Sequence, residues 1–290
     1  MPFVEHGQAS IWYTDRGGGE ALLLIHGGIF EPMDGARFWE TPGVVPDLRV
    51  SGFRVLLPDR RYAGGSTSAP FEPYTWESDA ADLAAVLRHA EVERVHVIAG
   101  SNGCSSAVRL ALMRPQQIRS LLLCWPAAPN NASLEGHFEL TAKQIEHVGP
   151  AAYLDELRER GIPRPGENRW GLPFGVALMR DERAAFSFVE LPAARGAEIV
   201  RESGRALLAG EVLRGLDAEE AKRLGNEGFP VLIMPAEPEN PVHPRAVAER
   251  LAAAVPGASL LPGFPEAPKP SFQSKREAFS QVLHKALPEG

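Results

Sequence analysis

The 290-residue chain is long enough to bury a full core, as one domain with an insertion or as two small ones. With 44% apolar and 23% charged residues it has an ordinary globular composition. The net charge of −7 and the lack of a basic stripe argue against a nucleic-acid partner, and no apolar run approaches the ~18 residues of a membrane span. The first residues, Met1 to Gly7, lack the basic and apolar regions of a signal peptide. Cys104 and Cys124 fall in an expected helix and an expected buried strand, so a reduced, cytoplasmic protein is expected.

In chain order, residues 8–14 read as an edge strand and Arg16 to Gly19 as a turn. Ala21-Leu-Leu-Leu-Ile25 is a continuous apolar run, the pattern of a strand covered on both faces in a parallel sheet, and it ends in His26-Gly27-Gly28. Residues 30–49 read as a loop and a short helix carrying Phe38 and Trp39, followed by a strand at Phe53–Leu57 and a loop from Pro58 to Ser66. Thr75 to Ala90 has helical periodicity (Trp76, Ala80, Leu83, Val86, Leu87). Val95–Ile98 is a short strand that turns through Ala99-Gly100-Ser101-Asn102-Gly103 into a helix with Ala107, Leu110 and Ala111 on one face.

Ser120–Trp125 is a further strand, after which the strand pattern stops. Helical runs are expected near 136–148, 150–161, 176–190 and 194–214, broken at Pro163, Pro165-Gly166 and Pro192. A strand at Phe229–Pro235, a helix at Ala246–Val255, a last strand at Ala258–Leu261 and a closing helix around Glu277–Phe279 complete the chain. Repeated strand–crossover units imply right-handed connections and a doubly wound sheet.

Small residues flank Ser101 because a sharp strand-to-helix turn leaves no room for side chains. Such a turn pushes the hydroxyl out over the sheet edge, next to a helix N-terminus that favours negative charge. With Ala99 for the first glycine, this stretch resembles the G-x-S-x-G nucleophile elbow of the α/β-hydrolase superfamily. His26-Gly27-Gly28 resembles the superfamily's oxyanion loop. Pro58–Ser66 is similar to its D-x-R-G-x-G-x-S loop, with Tyr62 for the first glycine, and that segment is structural. The resemblance implies an α/β-hydrolase fold: a doubly wound, mostly parallel sheet with a helical cap inserted after the strand that follows the elbow helix. The core would be 1–125 and 228–290, and the cap 126–227.

The same resemblance implies Ser101 as the catalytic hydroxyl, with backbone N–H groups of Gly28 or Ile29 and of Asn102 as the oxyanion hole. His26, Gly27 and Trp125 would face the substrate from the core, and His137, Trp170 and Phe174 from the cap. Aromatic and apolar residues at helical spacing in the cap (Met179, Phe186, Phe188) read more readily as cap core. A small-molecule substrate is expected, with no cofactor, no metal, no nucleic acid and no membrane; a homodimer is left open.

The pattern breaks at the other two catalytic positions. Glu239 falls in the slot of the acid in G-x-x-D-x-x-V-x-P, and Val242 and Pro244 match its tail. Glu266 falls where the histidine belongs. A carboxylate with an ordinary pKa of ~4.3 is a poor base for a serine alcohol. Two adjacent carboxylates, however, would share a proton and suit acid/base work on a carbonyl compound. The expectation is therefore non-hydrolytic chemistry in bacterial small-molecule metabolism, such as eliminating a carboxylate from an acylated, tetronate-like intermediate. Ser101, the oxyanion hole and the Glu239–Glu266 pair would carry it. One alternative is a serine esterase, lactonase or thioesterase using His243, four residues past Glu239, or a cap histidine (His137, His147). The other is a non-catalytic ligand-binding protein.

Overall fold

The computed structural model describes residues 3–29, 33–66, 71–129, 132–161 and 174–287, at 132–135 by backbone alone. Among these, one sheet runs in the order β1-β2-β4-β3-β5-β6-β7-β8. Its strands are β1 Phe3–His6, β2 Ala9–Arg16, β3 Ala21–Ile25, β4 Arg54–Pro58, β5 Val95–Gly100, β6 Ile118–Cys124, β7 Val231–Met234 and β8 Ser259–Leu260. Pairing is antiparallel from β1 through β2 to β4 and parallel across the rest. The strand expected at the edge is β2; β1 lies outside it, with Val4 opposite Ile11.

β3 and β5 are buried along their whole length at the centre of the sheet, as their unbroken apolar runs require. Leu22 pairs with His96 and Ile25 with Ala99, so both strands end at the same level. That register sets the His26-Gly27-Gly28 loop beside the Ser101 turn.

The helices are α1 Val44–Val50, α2 Trp76–His89, α3 Gly103–Met113, α4 Ala132–Val148, α5 Pro150–Arg160 and α6 Gly175–Arg180. They continue as α7 Glu182–Val189, α8 Ala193–Leu208, α9 Ala218–Gly225, α10 Arg245–Ala254 and α11 Arg276–Ala286. A capping box fixes the start of α2: Thr75 Oγ1 accepts from the Ser78 N–H and Ser78 Oγ from the Thr75 N–H. The run expected over 176–190 is split, because the Asp181 carboxylate accepts from the N–H groups of Arg183 and Ala184 and so starts α7. The run expected over 194–214 stops at Leu208, and a tight turn leads to α9, which Asp217 caps.

Apolar side chains pack on both faces of the sheet. A third core joins α4–α8 to Tyr62, Phe71, Tyr74 and Trp76. The inserted helices are also tied down by hydrogen bonds from the Phe71 N–H to Ser187 Oγ, the Tyr74 N–H to Ser203 Oγ, and Trp76 Nε1 to the Leu207 carbonyl.

Candidate active site

Ser101 occupies the turn between β5 and α3 with φ +54, a left-handed conformation rarely adopted by a residue with a side chain. Its N–H donates to the Cys124 carbonyl at 2.9 Å, and its carbonyl accepts from the Cys104 N–H at 3.0 Å. The turn is possible only because its neighbours are small. A Cβ on Gly103 would come within 2.5 Å of the His26 carbonyl oxygen, and one on Gly27 within 2.8 Å of Ser101 Cβ. Ala99, by contrast, is tolerated as a fully buried strand residue.

The His243 Nε2 lies 2.8 Å from Ser101 Oγ, and both residues are buried. On the far side of the ring, Nδ1 lies 3.2 Å from Glu266 Oε1, close enough for an ion pair though off the line of a straight N–H···O bond. The same Oε1 accepts from Asn240 Nδ2 at 2.5 Å and from Lys269 Nζ at 2.7 Å. Burial alone would raise the Glu266 carboxyl, but His243 and Lys269 outweigh it and hold it at about 2. The order of the three groups is serine, imidazole, carboxylate.

The structure thus departs from the expected carboxylate pair. Glu239 does not face Glu266; it is exposed and accepts from the Arg245 N–H at 2.8 Å, at the start of α10. Glu266 sits on the ring of His243 instead. The reason is the end of the sheet. Beyond β7 and β8 the two chains keep pairing, through an Ala236–Phe264 bridge and the bonds Glu237 N–H to Phe264 O and Phe264 N–H to Pro235 O. The loops that follow are therefore neighbours, and either can deliver a side chain to Ser101. Asn240 fastens the first loop to itself, its Oδ1 accepting from the Val242 and His243 N–H groups, and to the second loop through Glu266.

Several expected substrate contacts prove structural. His26 is buried and held at both nitrogens: Nε2 accepts from the Arg60 N–H at 2.9 Å, which leaves Nδ1–H to donate to the Gly27 carbonyl at 2.7 Å. Burial, with Arg60 adding to it, lowers the imidazole to about 3, so it stays neutral. Trp125 is fully buried, stacked between Trp39 and Phe279, and its Nε1 donates to the Phe264 carbonyl at 2.9 Å, bracing the Glu266 loop. Phe174 is fully buried in the third core against Tyr62 and Phe71. His137 lies on α4 with Nδ1 buried and unbonded, His147 is exposed, and the imidazole on Ser101 is that of His243. Trp170 lies outside the described residues.

The Pro58–Ser66 loop is structural. Arg60 and Arg61 pair with Asp79 and Asp82 on α2, and Asp59 accepts from the Gly35 and Gly65 N–H groups. Gly28 and Ile29 follow His26-Gly27, and Asn102 follows Ser101, so the N–H groups expected to form an oxyanion hole belong to two abutting loops. Sequence analysis missed Asn240, Lys269 and Arg214. The last is buried and donates from Nη1 to Asn102 Oδ1 at 2.6 Å.

Comparison with known proteins agrees with this architecture. The family model described as alpha/beta hydrolase fold matches residues 20–272. A 2-hydroxy-6-oxononadienedioate/2-hydroxy-6-oxononatrienedioate hydrolase of Paraburkholderia xenovorans is 35% identical over 121 residues, 40% of each chain. The chain spans about half the length, or less, of the curated relatives it matches. The enol-lactonase of Burkholderia xenovorans superposes with a TM-score of 0.62 at 20% identity, over 99% of this chain and 100% of its own. An esterase of Thermogutta terrifontis does so at 0.60 and 22%, over 97% and 95%. At such identities the likeness to solved structures speaks for the fold alone. By the family match over most of its length, and by the sheet and elbow described above, the chain belongs to the alpha/beta hydrolase fold family.

Proposed function

We propose that the chain is a serine hydrolase that cleaves a carboxylic ester or lactone through an acyl-enzyme on Ser101. His243 would be the general base and acid, and Glu266 the group that holds and charges its ring. The observation that carries this is the 2.8 Å contact between Ser101 Oγ and His243 Nε2, with Glu266 behind it. As Oγ attacks the substrate carbonyl, its proton passes to Nε2, and the negative charge moves to the carbonyl oxygen. The backbone N–H groups of Asn102 and of Gly28 or Ile29 receive that oxygen at the N-terminus of α3, a type of contact worth about 10²–10³ in turnover per donor. The imidazolium then protonates the leaving alcohol. Water repeats the sequence on the acyl-enzyme, and Ser101 recovers its proton. An ionised Glu266 stabilises the imidazolium in both halves.

Elimination through a carboxylate pair needs Glu239 beside Glu266 and no imidazole on the serine, and neither condition holds. The hydrolases among the curated relatives support the same preference. The test is mass spectrometry of the intact protein after exposure to a fluorophosphonate, alongside hydrolysis of 4-nitrophenyl acetate. One adduct on Ser101, absent in His243→Ala, is the expected result. A folded protein that takes no adduct and turns over no ester would overturn the proposal.

A further inference from the structure

Arg214 is the feature that the triad leaves unexplained. It is 3% exposed, in a turn too tight to move easily: Gly210 and Gly215 have φ +99 and +71, and the Gly215 N–H donates to the Ala209 carbonyl at 2.6 Å. A Cβ on Gly215 would come within 2.4 Å of Trp76, so the turn is pressed against α2. From it the guanidinium reaches the residue immediately after the nucleophile, Nη1 donating to Asn102 Oδ1.

Among the described residues, a neutral amide oxygen is its only partner. Nε is buried and unbonded, and no ion pair within 4.0 Å involves Arg214 among the described residues. Other arginines of this chain show what that edge takes. Arg54 grips Asp15 through Nε and Nη2 at 2.9 and 2.6 Å, and Arg61 grips Asp82 at 2.8 and 2.9 Å. Arg60, as deeply buried as Arg214, has Asp79 as its counter-charge, reached through Nη1. Burial alone lowers Arg214, to about 10, so it keeps its charge at neutral pH. A buried guanidinium with no counter-charge is costly for a fold to maintain. It lies beside the N-terminus of α3, which adds positive potential. The two together give this place a positive potential suited to an anion.

We infer that the free Nε/Nη2 edge of Arg214 binds a carboxylate carried by the substrate, so that the ester or lactone cleaved at Ser101 is an anionic one. This rests on the hydrolase proposal for the reaction and adds to it the class of substrate. A guanidinium edge and a carboxylate match in two parallel hydrogen bonds, which fixes orientation as well as charge. Asn102 links the two functions, its backbone N–H facing the oxyanion and its side chain holding Arg214.

The test compares 4-nitrophenyl hemisuccinate with 4-nitrophenyl acetate, and measures succinate and succinamide binding to Ser101→Ala by calorimetry. In the wild type the hemisuccinate should have the higher kcat/KM. Arg214→Gln should cost it at least about tenfold more than it costs the acetate, mainly in KM. Succinate should bind Ser101→Ala at least about tenfold more tightly than succinamide. Equal losses on both esters would make Arg214 a prop for Asn102 and overturn the inference. Should Arg214→Gln fail to fold, the calorimetry decides alone: succinate binding no tighter than succinamide overturns the carboxylate site. Fluorophosphonate labelling with no preference for succinate would remove the anion site and leave the hydrolase. Succinate binding without any labelling or ester turnover would remove the hydrolase and leave the site.

Discussion

The two halves of the candidate site treat the family pattern differently. The half built on β3, β4 and β5 follows it except at Ala99 and Tyr62, each in place of a glycine: His26-Gly27-Gly28, the Pro58–Ser66 loop and the Ser101 elbow lie where the pattern puts them. The half built on β7 and β8 has the same residue types in exchanged places, with the imidazole on the first loop and the carboxylate on the second. The first half is constrained by close approach. Gly27 lies against Ser101 and Gly103 against the His26 carbonyl, and neither position has room for a Cβ. The second half is constrained only by where side chains end. Two adjacent parallel strands discharge their loops side by side, so what must be kept is an acid, a base and their order from the serine.

Removing the reactive pair should have the largest effect. Ser101→Ala and His243→Ala should each lower kcat on an activated ester by about 10³–10⁶, and the double variant should be no worse than either single one. A small loss in His243→Ala would return the search for a base to the cap. Next in size, Glu266→Gln should cost about 10²–10⁴ in kcat, whereas Glu239→Gln should stay within about twofold. The reverse outcome would restore the usual slots and break the exchange. Glu266 also makes a pH prediction. Its folded pKa of about 2 is below the ordinary 4.5, so the stability it contributes is present above 4.5 and is lost as pH falls through about 2. Glu266→Gln should therefore flatten part of the acid-unfolding curve in that window.

The half that keeps the family pattern should respond in stability. His26, lowered to about 3 from 6.5, binds fewer protons folded than unfolded between those values. Its contribution is complete above 6.5 and is lost as pH falls towards about 3, so melting temperatures should fall on acidification, and less so in His26→Gln. That variant should also cost about 1–3 kcal/mol at neutral pH by leaving the Arg60 N–H or the Gly27 carbonyl unpaired, measured by urea unfolding. The smallest effect belongs to Glu239→Gln: the amide oxygen still accepts from the Arg245 N–H at the start of α10, so losing the charge there should cost no more than about 1 kcal/mol.

Much of this was legible in the chain itself. The apolar run at Ala21–Ile25 fixes a central parallel strand because only a strand covered on both faces needs no polar side. The glycines around Ser101 announce an elbow, a local turn, although what presses on Gly100 and Gly103 (Phe38 and His26) lies far off in sequence. The capping residues Thr75 and Asp217 are of the same local kind. The sequence also put Glu239 and Glu266 in neighbouring loops, yet could not say which of them lies behind the imidazole on the serine. Pairing beyond β7 and β8 decides that, together with the Asn240 clamp and the brace from Trp125 to Phe264. For Trp125, His26 and Phe174, the residue type suggested a pocket wall, and only packing showed that each is enclosed. Arg214 is the extreme case. Its neighbours in sequence say nothing of Asn102, more than a hundred residues away, because the meeting depends on where the chain returns from its inserted helices to the sheet. Local sterics and periodicity are written in the chain; which charges meet is settled by long-range closure.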